Sequence, residues 1–213
     1  MPSEGNIRIL FVGDLHIVDH QDMFNWIDVF EELYSRAKFD FMILLGDMEF
    51  PEVPSFSFPW GYIYGNHDNL GILYSSNGVN LHRNVYEVNG VKIAGLGGNF
   101  QMKAWNEINN IEEWIKKYGG TGRREHALFR DDVEFLLCFK YDILVSHDAP
   151  SNFLNYENQN PAMDRLLKEN PPKLFVVHGH FHIPLYYQKF GVDIYSVGIR
   201  QYFIKEVKKW TGA

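Results

Sequence analysis

The chain has 213 residues and a formal net charge of -7, enough for one hydrophobic core and short for two. Hydrophobic residues make up 46% and aromatics 16%, which excludes a disordered composition. The acidic balance works against broad binding of polyanions such as nucleic acid, leaving room only for a local positive patch or one supplied by metal ions.

In chain order, the first predicted element is a buried strand over Ile7 to Val12, ending at Gly13-Asp14. A helix follows over Asp22 to Ala37, with Phe24, Ile27, Phe30 and Tyr34 at helical spacing. Phe41 to Leu45 reads as a second strand, ending at Gly46-Asp47. Pro51, Pro54 and Pro59 forbid a regular helix in the next stretch, so Phe50, Phe56, Phe58 and Trp60 are expected in an irregular aromatic loop beside the Asp47 strand end. Trp60 to Tyr64 is the third strand and runs into Gly65-Asn66-His67-Asp68.

Asn89-Gly90 between Val- and Tyr-rich arms predicts a hairpin within Asn84 to Leu96. Ile108, Ile111, Ile115 and Tyr118 predict a helix stopped by Gly119-Gly120. Asp131 is placed to cap a helix running through Phe139. Ile143 to Val145 is a short strand ending at Ser146-His147. Asn160-Pro161 has the form of an N-cap with proline at the first helical position, opening a helix to Glu169. Leu174 to Val177 is a strand ending at His178-Gly179-His180, and Leu185 to Val207 reads as two or three strands broken near Gly191 and Gly198. A layered α/β protein with one or two mixed sheets follows, organised as one domain over residues 1–213.

The polar clusters fall where chemistry is expected. Ligands of open α/β sheets bind just beyond the carboxyl ends of the strands, and five apolar runs deliver a potential metal ligand there. Asp14 and His16 are two residues apart, so both can face one ion from an extended segment. His180 and His182 repeat the spacing, Asp47 and Asn66 offer oxygens, and His147 offers a nitrogen. A single such block is ordinary turn chemistry, whereas turns need no histidines in this order.

Taken together, Asp14-Leu15-His16, Gly46-Asp47, Gly65-Asn66-His67-Asp68, Ser146-His147 and Gly179-His180-Phe181-His182 resemble the ordered signature of the calcineurin-like metallophosphoesterase superfamily. The resemblance spans Asp14 to His182. It implies a four-layer αββα sandwich, two mixed β-sheets flanked by helices, with the metal site at the carboxyl ends of the strands. It further implies one metal on Asp14, His16 and His182, a second on Asn66, His147 and His180, and Asp47 bridging the pair. The donor set suits two divalent ions of Mn, Fe, Zn, Co or Ni, with Mn favoured. The implied activity is hydrolysis of a phosphodiester or phosphomonoester by in-line attack of a metal-bridging hydroxide. His67 is expected to stabilise the transition state or protonate the leaving oxygen, and Asp68 to orient the His67 ring.

Asp142 to Pro150, followed by Asn160-Pro161-Ala162, further resembles the lariat-debranching branch, which implies a nuclease on RNA or DNA, branched RNA included, as one alternative. A non-catalytic scaffold that retains the fold is the other. A small or accessible phosphate ester is therefore the expected partner, with no membrane contact.

Other features are expected to be structural. These are His20, His82, His126 and His178, the basic cluster Lys116, Lys117, Arg123 and Arg124 at a solvated helix end, and Phe100 and Trp105 as packing residues. Cys138, the single cysteine, is expected to be a buried inert thiol. No signal-peptide pattern or bilayer-length apolar run is present, so a cytoplasmic protein is expected.

Overall fold

The computed structural model describes residues 6–121, 124–155 and 159–208. Two mixed sheets lie face to face with helices on their outer sides, the four-layer αββα arrangement. The first sheet has the order β11(Tyr202–Lys208), β1(Asn6–Val12), β2(Phe41–Leu44), β3(Trp60–Tyr62), β4(Val79–Asn80). Only β11 runs antiparallel to its neighbour. The second has the order β5(Asn84–Val88), β6(Val91–Leu96), β7(Ile143–Ser146), β8(Phe175–His178), β10(Val192–Ser196), β9(Leu185–Lys189), with a parallel centre and antiparallel edges.

Strand alternation explains the layering. Ile7, Ile9 and Phe11 of β1 point between the sheets, where they meet Ile93, Ile143, Val145 and Val177. Leu10 and Val12 point the other way, against Met23 and Phe30 of α1(His20–Ala37). On the far side α5(Arg130–Leu137) and α6(Pro161–Glu169) cover the second sheet through Val133, Leu136, Met163 and Leu166. Strands buried on both faces need no polar positions, which is why they read as unbroken apolar runs.

Several predicted elements appear with their predicted signals. Asn160 accepts from the Met163 N–H at 3.1 Å and opens α6 at Pro161. Asn89 and Gly90 both take positive φ, +48° and +89°, as the hairpin between β5 and β6 requires. Between the sequence blocks lie elements with weaker signals: α2(Leu70–Tyr74), capped by Asn69, and the two-residue strand β4.

Other expectations are corrected. The helix over Ile108 to Tyr118 is two helices, α3(Met102–Glu107) and α4(Ile111–Tyr118), because Ile108 is extended and Asn110 caps α4 by accepting from the Glu113 N–H at 2.9 Å. The next helix starts at Arg130 and not after Asp131, because Asp132 reaches back to the Phe129 N–H at 2.9 Å. Its end leaves Cys138 exposed: Val133 and Leu136 take the inner face, and position 138 falls on the outer one.

The 50–60 loop is irregular, as expected, and its aromatic rings turn into the core. Phe56 and Phe58 pack under α1 against Phe30, Tyr34 and Phe39, with ring centroids 4.9–6.1 Å apart. The expected structural residues do pack: Phe100 and Trp105 lie together over the second sheet, and Lys117 pairs with Glu107 at 3.1 Å. Arg123 lies outside the described residues. Among the described residues, no helix is long and apolar enough to cross a membrane.

Candidate metal centre

The strand ends of both sheets meet along one edge, and the candidate ligands sit on the turns that follow them. His16 follows β1, Asp47 follows β2, Asn66 follows β3, His147 follows β7, and His180 and His182 follow β8. The turns are unusual in conformation. His16, Asp47, Glu49, His180 and His182 all take positive φ, between +45° and +68°. That region costs a residue with a Cβ about 1–2 kcal/mol and is normally left to glycine or asparagine. Keeping imidazoles and carboxylates there is the mark of a strained functional site.

Asp47, His147 and His180 bring one ligand atom each within 4.8 Å of one another. His147 is fully buried. Its Nδ1–H donates to the Leu45 carbonyl at 2.9 Å, which aims the Nε2 at the other candidates. Nε2 lies 3.1 Å from His180 Nδ1, 3.3 Å from Asp47 Oδ2 and 3.3 Å from Asn66 Oδ1. His16 and His182 form a second pair, Nε2 to Nε2, also at 3.1 Å. Asp14 lies between the sheets' ends in a different way: its carboxylate is 3.5 Å from His147 Nδ1 and accepts the His180 backbone N–H at 3.0 and 3.1 Å. Thus His147, His180, Asp47 and Asn66 converge, His16 and His182 converge beside them, and Asp14 is tied to the first group.

This donor set fits divalent cations. Each imidazole–imidazole or imidazole–carboxylate contact is filled either by one tautomeric N–H or, with the lone pairs turned inward, by a shared cation. Without a metal, protons fill them. Burial pulls the His147 pKa down, but its bond to Asp47 and the charges of Asp47 and Asp14 outweigh that and hold it at about 9. Burial also raises Asp47, yet the His147 bond and charge hold it well below the usual carboxylate range. Burial and the His147 charge together keep His180 neutral, at about 4. A positive charge is therefore built into the demand of the site.

Two residues missing from the predicted set complete it. Glu49 accepts from His16 Nδ1–H at 2.5 Å, fixing the ring so that Nε2 faces His182. Its position two residues after Asp47, the same spacing as Asp14 and His16, was the available signal. Glu49→Gln is expected to weaken metal binding roughly ten-fold, read by competition with a chelator. The Leu45 carbonyl does the same for His147 and carries no sequence signal at all.

The predicted role of Asp68 is corrected. Its carboxylate does not hold His67: Oδ2 accepts the Asp47 and Gly65 N–H groups, both at 2.8 Å, and Oδ1 accepts those of Met48 and Glu49 at 2.8 and 3.0 Å. Asp68 therefore fastens the Asp47–Glu49 turn to the Gly65 turn. Those turns are too close for side chains, since a Cβ on Gly65 would stand 2.1 Å from Asp47 Oδ1 and 2.6 Å from the Asp47 nitrogen. His67 is exposed, its backbone N–H donates to Asp47 Oδ1 at 2.8 Å, and its ring lies edge-on to His16 at 5.6 Å.

The histidines expected to be structural are so placed. His178 donates to the Gly179 carbonyl and faces the Tyr187 hydroxyl, both at 2.9 Å, and burial keeps it neutral at about 4. His126 donates to the Asp68 carbonyl at 2.8 Å, and His82 accepts from the Gly97 N–H at 3.0 Å. His20 lies at the surface, 3.7 Å from Glu52.

Residues 7–184 match the family described as calcineurin-like phosphoesterase. A protein of Haemophilus influenzae, described only as uncharacterised, is 28% identical over 90% of this chain and 91% of its own length. The phosphopantetheinyl hydrolase of Mycobacterium tuberculosis superposes with a TM-score of 0.54 at 17% identity, covering 92% of this chain and 91% of that one. GAP50, the anchor in the inner membrane complex of Plasmodium, superposes with a TM-score of 0.53 at 14% identity, covering 92% and 72%. At these identities the structural likenesses show the shared fold.

Proposed function

Because the chain belongs to the calcineurin-like phosphoesterase family, we propose that it is a two-metal hydrolase of phosphate esters, diesters in preference to monoesters. Its cations are held by Asp14, His16, Asp47, Asn66, His147, His180 and His182. The observation that supports the reading is the pair of imidazole–imidazole contacts at 3.1 Å, where nitrogen lone pairs can converge on a cation beside Asp47. Divalent ions bound there supply positive charge for the phosphoryl oxygens and make a water acidic enough to serve as nucleophile near neutral pH.

The chain's own residues do the rest. His147 and His180 are fixed by the Leu45 carbonyl and by the Asp14–His180 backbone bonds, so the ligand geometry exists before substrate arrives. His67 is the one exposed imidazole on the ligand turns that is free of a ring hydrogen bond among the described residues, which leaves its nitrogens available to a substrate. Attack by water on phosphorus breaks the bond to the leaving oxygen, and His67 delivers the proton that this oxygen needs.

The test is hydrolysis of bis-p-nitrophenyl phosphate and p-nitrophenyl phosphate with added Mn. Turnover of neither, by protein shown to carry two metals per chain, would sink the proposal. His67→Ala is expected to lower kcat by roughly 10²-fold or more with metal content and melting temperature unchanged. Loss of metal in that variant would instead make His67 a ligand.

A further inference from the structure

One cavity of the described residues lies away from the candidate ligands. It has a volume of about 590 Å³, within the usual range for small-molecule sites, and none of the seven candidate ligands lines it. It lies behind β3, where α2, α4 and the turn before α5 meet.

Its walls have a consistent chemistry. Tyr64, Tyr74 and Phe129 supply aromatic faces. Glu112, Glu125 and Asp132 supply carboxylates. Glu112 has no ion-pair partner among the described residues, and Glu125 lies 3.9 Å from His126 Nδ1. Asp132 is buried, with one oxygen on the Phe129 N–H and the other 3.7 Å from His82 Nε2. Among the described lining residues the guanidinium is that of Arg83, which lies over the Phe135 ring at 5.5 Å.

A second, independent feature points to a ligand. Tyr64 is 4% exposed, yet its hydroxyl has no hydrogen-bond partner among the described residues. The ring is buried, while the hydroxyl oxygen is not among the buried unpaired atoms of the described residues, so it opens to the cavity and offers its hydrogen-bonding capacity to a ligand. Burial raises its pKa well above the ordinary value, and the facing Asp132 and Tyr74 raise it further, so it stays a donor with acceptor lone pairs to spare.

We propose that this cavity is a second ligand site that takes a small organic cation, an amine or guanidine on an aromatic or apolar body. The rings hold the body and the cation together, since an ammonium over a tyrosine face is attracted by the ring. Glu112 and Glu125 neutralise the charge, and the Tyr64 hydroxyl accepts a hydrogen from the nitrogen. An anion of the same shape meets carboxylates on two sides and is rejected.

Three probes of one size separate these contributions: benzylamine, benzyl alcohol and benzoate, titrated into the purified full chain and followed by amide chemical shifts. Benzylamine is expected to bind in the low millimolar range and roughly ten-fold more tightly than benzoate, shifting the amides of Tyr64, Gly71 and Phe129. The double variant Glu112→Gln/Glu125→Gln is expected to bring benzylamine down to the level of benzyl alcohol, and Tyr64→Phe to weaken it roughly three-fold. The proposal is overturned by equal or tighter binding of benzoate, or by an unchanged preference in the double variant. It is equally overturned by shifts centred on Gly46 and Gly179, or by no shift up to about 20 mM probe. None of these readings depends on catalysis, so they stand or fall apart from the phosphoesterase assignment.

Discussion

Asp47→Asn is expected to reduce hydrolysis of a phosphodiester by at least about 10³-fold, on the order of 4 kcal/mol of transition-state stabilisation. The side chain is 2% exposed and both its oxygens are engaged, Oδ1 by the His67 N–H at 2.8 Å and Oδ2 opposite His147 Nε2 at 3.3 Å. The amide preserves shape and can keep the first contact. It replaces the second with an N–H₂ group aimed at a nitrogen that must offer a lone pair, and it removes the only carboxylate of the converging group. Metal content is expected to fall along with activity, while the circular dichroism spectrum stays that of the parent. An Asp47→Asn protein that keeps two metals and full turnover would show that Asp47 does not share in the centre.

The ligand candidates were legible because their requirement is local. A strand buried on both faces must be apolar throughout, so its end is visible as the first polar residue, and every candidate ligand block follows such an end. The hairpin at Asn89-Gly90 and the cap at Asn160 were legible for the same reason: each is decided by the φ or the hydrogen bond of one residue. What escaped depended on partners distant in sequence. Glu49 matters because β1 and β2 are neighbours, which places His16 against it. The irregularity of the aromatic 50–60 loop was legible from its prolines, but its inward packing was not, because only the position of α1 turns Phe56 and Phe58 inward. Cys138 was misjudged because a short apolar run does not show which of its residues faces out at the last helical turn.

Asp68 is the sharpest case, and Asp68→Asn distinguishes the two accounts of it. As a clamp, its carboxylate takes four backbone N–H groups at 2.8–3.0 Å in a fully buried position. An amide offers one oxygen in place of two, and its N–H₂ points donors at donors. Two buried N–H groups lose their acceptor, at about 1–3 kcal/mol each, or roughly 2–6 kcal/mol together. For a chain of this length that is a fall in Tm of about 4–24 °C. The Asp47–Glu49 turn loses its anchor at the same time, so metal affinity is expected to drop with stability. If Asp68 instead served to orient His67, the variant would behave like His67→Ala, with lower kcat, unchanged metal content and an unchanged melting curve. Differential scanning calorimetry of Asp68→Asn and His67→Ala, with and without Mn, separates these outcomes. Because the clamp joins the turns after β2 and β3, its loss is expected to be only partly repaired by excess metal: binding adds RT ln(1 + [L]/Kd) to stability but restores no acceptor to the orphaned N–H groups.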